Sequence, residues 1–211
     1  MAKLQLACDL VMLEDLMEMM PELIKYVDIF EMGTPLTMRY GVTAPEMLKK
    51  KYPDITTLAD IKIFDGGKVE SLMYLDAGVS YVTVMSRTND ATIKACADAC
   101  HSRGAKCVVD MMCETDFHKR VPELEALGAD ILAVHVAVDD YTRSGLTPLK
   151  SLETLSKVTN TAGTAAAGGI RLENVKDYLQ FHPEIIVVGS AIWDSADPIE
   201  TTRKFAEAIR E

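Results

Sequence analysis

The chain has few aromatic residues, little positive charge and no long apolar run. Aromatics make up 6% of its 211 residues, with a single tryptophan, so the core is expected to be aliphatic, built from Val, Ile, Leu, Ala and Met. Lys and Arg number 22 against 32 Asp and Glu, a net charge of −10. Without a basic stripe to neutralise phosphates, nucleic acid is not an expected partner. A small anionic substrate is still compatible, because backbone N–H groups at a helix start can hold it locally. Met1 to Met20 carries Asp9, Glu14, Asp15 and Glu18, and reads as neither a signal peptide nor a membrane span. The five cysteines (Cys8, Cys96, Cys100, Cys107, Cys113) are an odd number, expected as reduced thiols of a cytoplasmic protein. Cys96 and Cys100 stand four apart with His101 next, but no second pair at zinc-like spacing accompanies them, so a zinc site is set aside.

What is present is a regular alternation of short apolar runs and longer amphipathic segments. Strands are expected at Leu4–Leu10, Val27–Gly33, Thr56–Ile63, Tyr81–Ser86, Lys106–Met112, Ile131–Val136, Thr164–Gly168 and Ile185–Gly189. Helices are expected near Leu13–Lys25, Ala44–Lys51, Gly67–Ala77, Asp90–Arg103, Phe117–Leu127, Pro148–Val158, Leu172–Phe181 and Pro198–Arg210. Most strands are β-branched and nearly continuous in hydrophobicity, as parallel strands buried on both faces are. Met17, Met20, Met47 and Met73 fall in helices, where core packing is their expected use. Gly78, Gly104 and Gly128 each follow a helical run and precede a strand, where a left-handed cap is wanted. Asn89 is placed to cap the helix after the fourth strand, and Pro198 to open the last helix. Eight strand–helix units in one chain of this length describe a single-domain (β/α)8 TIM barrel over residues 1–211. A doubly wound open sheet would want fewer strands and a Gly-x-Gly-x-x-Gly turn, which is absent.

In such a barrel the active site lies at the C-terminal strand ends. Read in order, those ends offer Asp9, Glu31, Asp60 with Lys62, the Thr83–Ser86 region, Asp110, His135, Ala167-Gly168-Gly169 and Gly189-Ser190. Taken singly, each has a structural alternative: an ion pair at a strand terminus for Asp60 with Lys62, turn or cap duty for Asp9 and Asp110, a satisfied core histidine for His135, tight turns for the glycines. Their joint placement favours a site. Glu31 and Asp60 are hard oxygen ligands suited to one Mg²⁺, Lys62 can stabilise an oxyanion, and His135 can move protons near neutral pH. The glycine turns before the last two helices suit a phosphate. A phosphorylated sugar undergoing enolisation fits these parts.

Seven segments carry a resemblance that runs the length of the chain: Ala7-Cys8-Asp9-Leu10, Phe30-Glu31-Met32-Gly33-Thr34-Pro35, Ala59-Asp60-Ile61-Lys62-Ile63-Phe64-Asp65, Val109-Asp110-Met111, Val134-His135 with Asp139, Ala166-Ala167-Gly168-Gly169-Ile170 and Val188-Gly189-Ser190-Ala191-Ile192. Together they resemble the 3-hexulose-6-phosphate synthases of the orotidine 5′-monophosphate decarboxylase superfamily. The resemblance implies a Mg²⁺-dependent, reversible aldol condensation of ribulose 5-phosphate with formaldehyde. Glu31 and Asp60 would hold the metal, Lys62 the enediolate, and His135 would shuttle protons with Asp110 beside it. Asp9 would contact sugar hydroxyls, and Ala167, Gly168, Gly169, Gly189 and Ser190 would line the substrate and its phosphate. It also implies a homodimer in which Asp65 reaches the neighbouring subunit's site, although Asp65 equally suits a cap for the helix that begins near Gly67.

The competing resemblance is to 3-keto-L-gulonate-6-phosphate decarboxylases. Their pattern has a glutamate at the end of strand five, an arginine three residues after the strand-six histidine, and a threonine before the paired glycines. This chain has Asp110, Val138 and Ala167 there. It departs from the synthase pattern in turn where Val136-Ala137-Val138 stands in place of a pair ending in glycine. Orotidylate decarboxylases have a lysine where Glu31 stands. A non-catalytic sugar-phosphate-binding barrel is the remaining reading of another class.

Overall fold

Alternating side-chain direction along eight short aliphatic runs gives each a face for the barrel interior and a face for the helices. The computed structural model describes residues 1–137 and 148–211. Its strands are β1 (Lys3–Cys8), β2 (Ile29–Met32), β3 (Thr57–Ile63), β4 (Tyr81–Met85), β5 (Lys106–Asp110), β6 (Ile131–His135), β7 (Gly163–Ala167) and β8 (Ile185–Val188). Each pairs in parallel with the next, and β8 pairs back to β1, closing the (β/α)8 barrel expected from the sequence. Around it run α1 (Leu13–Leu23), α2 (Thr34–Tyr40), α3 (Thr43–Lys51), α4 (Gly67–Asp76), α5 (Asp90–Ser102), α6 (Phe117–Ala126), α7 (Pro148–Val158), α8 (Val175–Leu179), α9 (Ser190–Trp193) and α10 (Pro198–Arg210).

The interior is filled by a small layer, Ala7, Ile29, Leu58, Tyr81, Val108, Ile131, Ala165, Ile185 and Val187, at least one residue from every strand. The alternate positions, such as Leu6, Phe30, Val82 and Val109, pack outward against the helices in a larger cluster. The helix-to-strand turn is built the same way three times. The N–H groups of Gly78, Gly104 and Gly128 donate to the carbonyls of Leu75, His101 and Glu125. The next N–H reaches the carbonyl five residues back, at Tyr74, Cys100 and Leu124. This is a Schellman closure, and it requires the positive φ of the three glycines (91°, 69° and 97°).

Several sequence expectations need correction. Most strands stop one or two residues early, so that Asp9, Gly33, Ser86, Gly168 and Gly189 lie just past the ladder. Helices α2 and α9 start directly after Gly33 and Gly189, within segments expected to be loop. Asn89 occupies the position before α5 with extended backbone, but its side chain makes no cap bond; Asp116 and Asp197 do cap α6 and α10. Met20 is fully buried, whereas Met47 and Met73 are exposed, because α3 buries Ala44, Pro45 and Leu48 and α4 buries Gly67, Ser71 and Leu75. The five cysteines are free thiols, and Cys8, Cys96, Cys100 and Cys107 pack as small apolar groups.

Gly67 sets how closely α4 approaches α5: a Cβ there would overlap the Thr92 carbonyl oxygen and lie 3.2 Å from the Cys96 nitrogen. Gly67→Ala is expected to destabilise the fold by about 1–3 kcal/mol. A shift in the urea unfolding midpoint measures this, and an unchanged midpoint would show that the two helices can part without cost.

Candidate active site

Continuing two residues up the inward face from the apolar layer leads to the ionisable groups. Ile29 is followed by Glu31, Leu58 by Asp60, Val108 by Asp110, and Ile131 by Ala133 and then His135. Ala7 leads to Asp9, just past β1. The period of a strand thus collects residues distant in sequence at one end of the barrel.

The charged groups meet there. Lys62 Nζ pairs closely with Asp60 Oδ2 and stands 4.0 Å from Asp110 Oδ2. His135 Nδ1 lies 3.0 Å from the same Asp110 oxygen, whose companion Oδ1 accepts the Met112 N–H at 2.8 Å. The carboxylate can only accept, so His135 carries its proton on Nδ1 and presents Nε2 as the basic nitrogen. Thr34 Oγ1 lies 2.9 Å from Asp60 Oδ2 and 3.0 Å from Lys62 Nζ, and Thr83 Oγ1 donates to Asp60 Oδ1 at 2.9 Å. Gln5 Nε2 donates to Glu31 Oε2 at 2.5 Å.

Negative charge outweighs positive here, and the titration of the carboxyls reflects it. Burial first, then the Asp60 carboxylate with Asp9 behind it, pushes Glu31 up to about 8 against the opposing bond from Gln5. Burial and Asp60 likewise raise Asp9, while Lys62 and His135 pull the other way. Burial disfavours the Lys62 ammonium, but Asp60, Asp110 and Glu31 more than compensate and hold its pKa above the ordinary lysine value.

Asp60 and Lys62 reach one another through a break in the ladder. Ala59 registers with Val82 and Ile63 with Val84, so β3 fits two more residues than β4 into the same interval. Within this bulge Lys62 has φ +47°, a left-handed conformation that costs a non-glycine residue about 1–2 kcal/mol. Sequence alternation anticipated that the two side chains share a side, but a bulge, not the regular pleat, brings them together.

The other side of the mouth is made of turns. Gly168 and Gly169 have φ of +101° and +67°, and Asn174 locks the second by donating to the Gly169 carbonyl. Trp193 Nε1 donates to the Ala7 carbonyl at 2.7 Å, drawing α9 onto β1. A Cβ at Gly189 would come within 3.3 Å of Ala7 Cβ and 3.6 Å of Asp9 Oδ2, so the close approach wants glycine. Ser190 opens α9, and Ala167 ends β7 in register with His135. Asp65 is separate from this group: it is exposed, and among the described residues its carboxylate accepts the adjacent Gly66 N–H at 2.7 Å. Val138 and Asp139 lie outside the described residues.

Gln5, Thr34 and Thr83 were not assigned roles from sequence. Gln5 offered a signal, being the one polar residue within Leu4-Gln5-Leu6-Ala7. The two threonines were located, Thr83 in the Thr83–Ser86 strand end and Thr34 in a resembling segment, but their type gave no role, because threonine is ordinary in strands and at helix starts.

Among the described residues no group of three or more His, Cys, Asp or Glu side chains forms a metal cage. Mg²⁺ needs none, since it keeps several waters and takes one or two carboxylates. Glu31 and Asp60 are suitable hard oxygen donors, and the high pKa of Glu31 marks a place where added positive charge would be favourable. In the chain alone, Glu31 holds a proton when folded that it releases above its ordinary 4.5 when unfolded. Its contribution to stability is therefore complete below pH 4.5 and lost as pH rises towards 8, by up to a few kcal/mol, on the order of 1.4 kcal/mol per pH unit. Urea unfolding without metal should show this decline in the wild type and a flatter profile in Glu31→Gln; equal slopes would refute the assignment.

Comparison with known proteins identifies relatives of the whole chain. The family model for the Orotidine 5'-phosphate decarboxylase / HUMPS family matches residues 2–205. The 3-hexulose-6-phosphate synthase of Bacillus subtilis (strain 168) is 35% identical over 207 residues, covering 98% of both chains. The crystal structure of 3-hexulose-6-phosphate synthase from Salmonella typhimurium superposes with a TM-score of 0.94 at 44% identity, over 99% of this chain and 98% of that one. A 3-keto-L-gulonate-6-phosphate decarboxylase from Vibrio cholerae shares the fold, with a TM-score of 0.83 at 24% identity over 99% and 97% of the two chains. With the matched model spanning nearly the whole chain and full-length relatives above 30% identity, this chain belongs to the Orotidine 5'-phosphate decarboxylase / HUMPS family.

Proposed function

We propose that the chain is an aldolase that condenses D-ribulose 5-phosphate with formaldehyde to D-arabino-hex-3-ulose 6-phosphate, reversibly and with Mg²⁺. The observation that carries this reading is the convergence of Lys62, Asp60, Asp110 and His135 on one barrel end, together with full-length similarity to 3-hexulose-6-phosphate synthases. Bound between Glu31 and Asp60, Mg²⁺ would supply Lewis-acid polarisation of the substrate's carbonyl oxygen.

In this mechanism His135 removes a proton from C1 of ribulose 5-phosphate through Nε2, while Asp110 holds the Nδ1 proton and the ring orientation. The C–H electron pair becomes the C1–C2 double bond, and the C2 oxygen gains the charge that Lys62 is positioned to stabilise. C1 then attacks the formaldehyde carbon with the pair of the C1–C2 double bond, as the charge on the C2 oxygen returns to re-form the C2 carbonyl. The carbonyl pair moves to the formaldehyde oxygen, which takes a proton back from His135. Asp9 holds sugar hydroxyls, while backbone N–H groups around Gly169, Gly189 and Ser190, beside Ala167 and Gly168, receive the phosphate.

The active form is a homodimer on this reading. Phe64, Val69 and Met73 are 62%, 66% and 57% exposed, and Val69 and Met73 stand one turn apart on α4 beside Asp65. A second copy seated there would cover them and carry Asp65 to a neighbouring mouth. Sedimentation is expected to give twice the chain mass of 23.2 kDa, and Phe64→Asp to shift it towards monomer. A monomeric wild type would remove Asp65 from the mechanism.

Purified protein with Mg²⁺ should consume ribulose 5-phosphate only when formaldehyde is present, and chelation should abolish the reaction. Release of CO₂ from 3-keto-L-gulonate 6-phosphate faster than the aldol rate would favour decarboxylation instead. Phosphate-ester binding without exchange of the C1 proton into deuterated water would leave only a binding barrel.

A further inference from the structure

We propose that Thr83 is the positioning residue for Lys62: its hydroxyl replaces the ladder bond lost at the β3 bulge and so aims the ammonium at Asp60. The inference rests on the reading of Lys62 as the cation facing the developing oxyanion. At the bulge the Lys62 N–H donates to a side chain, Thr83 Oγ1, at 2.9 Å. The same hydroxyl donates its proton to Asp60 Oδ1 at 2.9 Å, with the Ala59 carbonyl more distant at 3.5 Å. A hydroxyl has one proton and two lone pairs, so both short bonds form together. One side chain thus ties the backbone of the cation to the carboxylate of its partner.

The tie matters because the conformation it holds is a strained one. Lys62 at φ +47° is one of few non-glycine residues in the left-handed region, and without a partner for its N–H the segment would relax towards ordinary strand geometry. Relaxation would rotate the lysine away from Asp60 and Thr34. Thr83 is 5% exposed and sits on the inward face of β4, two residues above Tyr81 of the apolar layer, where solvent is poorly placed to substitute. A threonine serving only the core would not need to bridge two groups across the bulge.

The test compares Thr83→Val, which keeps shape and removes both bonds, with Thr83→Ser, which keeps them. Hydrogen exchange of the Lys62 amide reads the tie directly, and kinetics with ribulose 5-phosphate and formaldehyde read its consequence. Thr83→Val should speed Lys62 exchange at least about 10-fold and lower kcat roughly 10–100-fold, while KM for ribulose 5-phosphate moves less than about threefold. Thr83→Ser should stay within about threefold of wild type in all three. Unchanged Lys62 exchange in Thr83→Val, or a loss of kcat in Thr83→Ser as large as in Thr83→Val, overturns the proposal. Should Thr83→Val fail to fold, Thr83→Ala carries the same comparison. An inactive wild type would remove the aldolase reading, while the exchange experiment would still decide whether Thr83 holds Lys62.

Discussion

The ammonium of Lys62 faces the carboxylates of Asp60 and Asp110 in a largely buried mouth, and the charge balance of the whole site turns on it. Two charges withdrawn from water repay their desolvation only when close, well oriented and further hydrogen-bonded. Asp60 meets that condition, since Thr83 serves one oxygen while Thr34 and Lys62 serve the other. Glu31 and Asp9 lie close enough to feel Asp60 but pair with no cation among the described residues, and both are pushed towards their neutral forms. The fold therefore carries an excess of acceptors at this point. That excess is unfavourable for the chain alone and would be relieved by the proposed Mg²⁺.

The barrel keeps opposite electrostatic tasks apart. Acids and their cation come from β1, β2, β3, β5 and β6, whereas the turns after β7 and β8 offer glycines and a serine. A sugar phosphate needs its dianion kept away from Asp9, Glu31 and Asp60, and backbone N–H groups provide neutral donors that do not compete for those carboxylates. Trp193 is the link between the halves: its bond to the Ala7 carbonyl brings Gly189 beside Asp9, so the cradle and the acids share an edge.

Much of this was legible in the sequence. Gly78, Gly104 and Gly128 announced the same helix closure three times, and the ends of the expected strands gave Glu31, Asp60 and Asp110. What was not legible depends on contacts across strands. No glycine or asparagine marks the bulge at Lys62, because its conformation is imposed by Thr83 on another strand. Helix α2 has seven residues, too few for a 3.6-residue period to show, and it begins without a connecting loop. The outward faces of α3 and α4 carry Met47 and Met73, which their place in expected helices had assigned to the core. Asn89 had the residue type and position of a cap, but its side chain does not make the bond.

Fold similarity does not choose among reactions in such a barrel, since synthase and decarboxylase relatives share it; the choice lies in individual side chains. Both chemistries require charge to build on a carbonyl oxygen, and Lys62 serves either. They differ in what meets the carbon afterwards: a proton for decarboxylation, formaldehyde for the aldol. At the end of β5, Asp110 reaches His135 Nδ1 while its other oxygen is fixed by the Met112 N–H. A glutamate there would be one methylene longer and could not keep both bonds with the backbone unchanged, so the ring would shift. Ala167, in register with His135, carries only a methyl group where a threonine would add a hydroxyl. A shorter acid and a smaller neighbour thus stand beside His135 without a further hydroxyl. On the proposed aldolase reading, the enediolate formed beside His135 is left for the added carbonyl of formaldehyde.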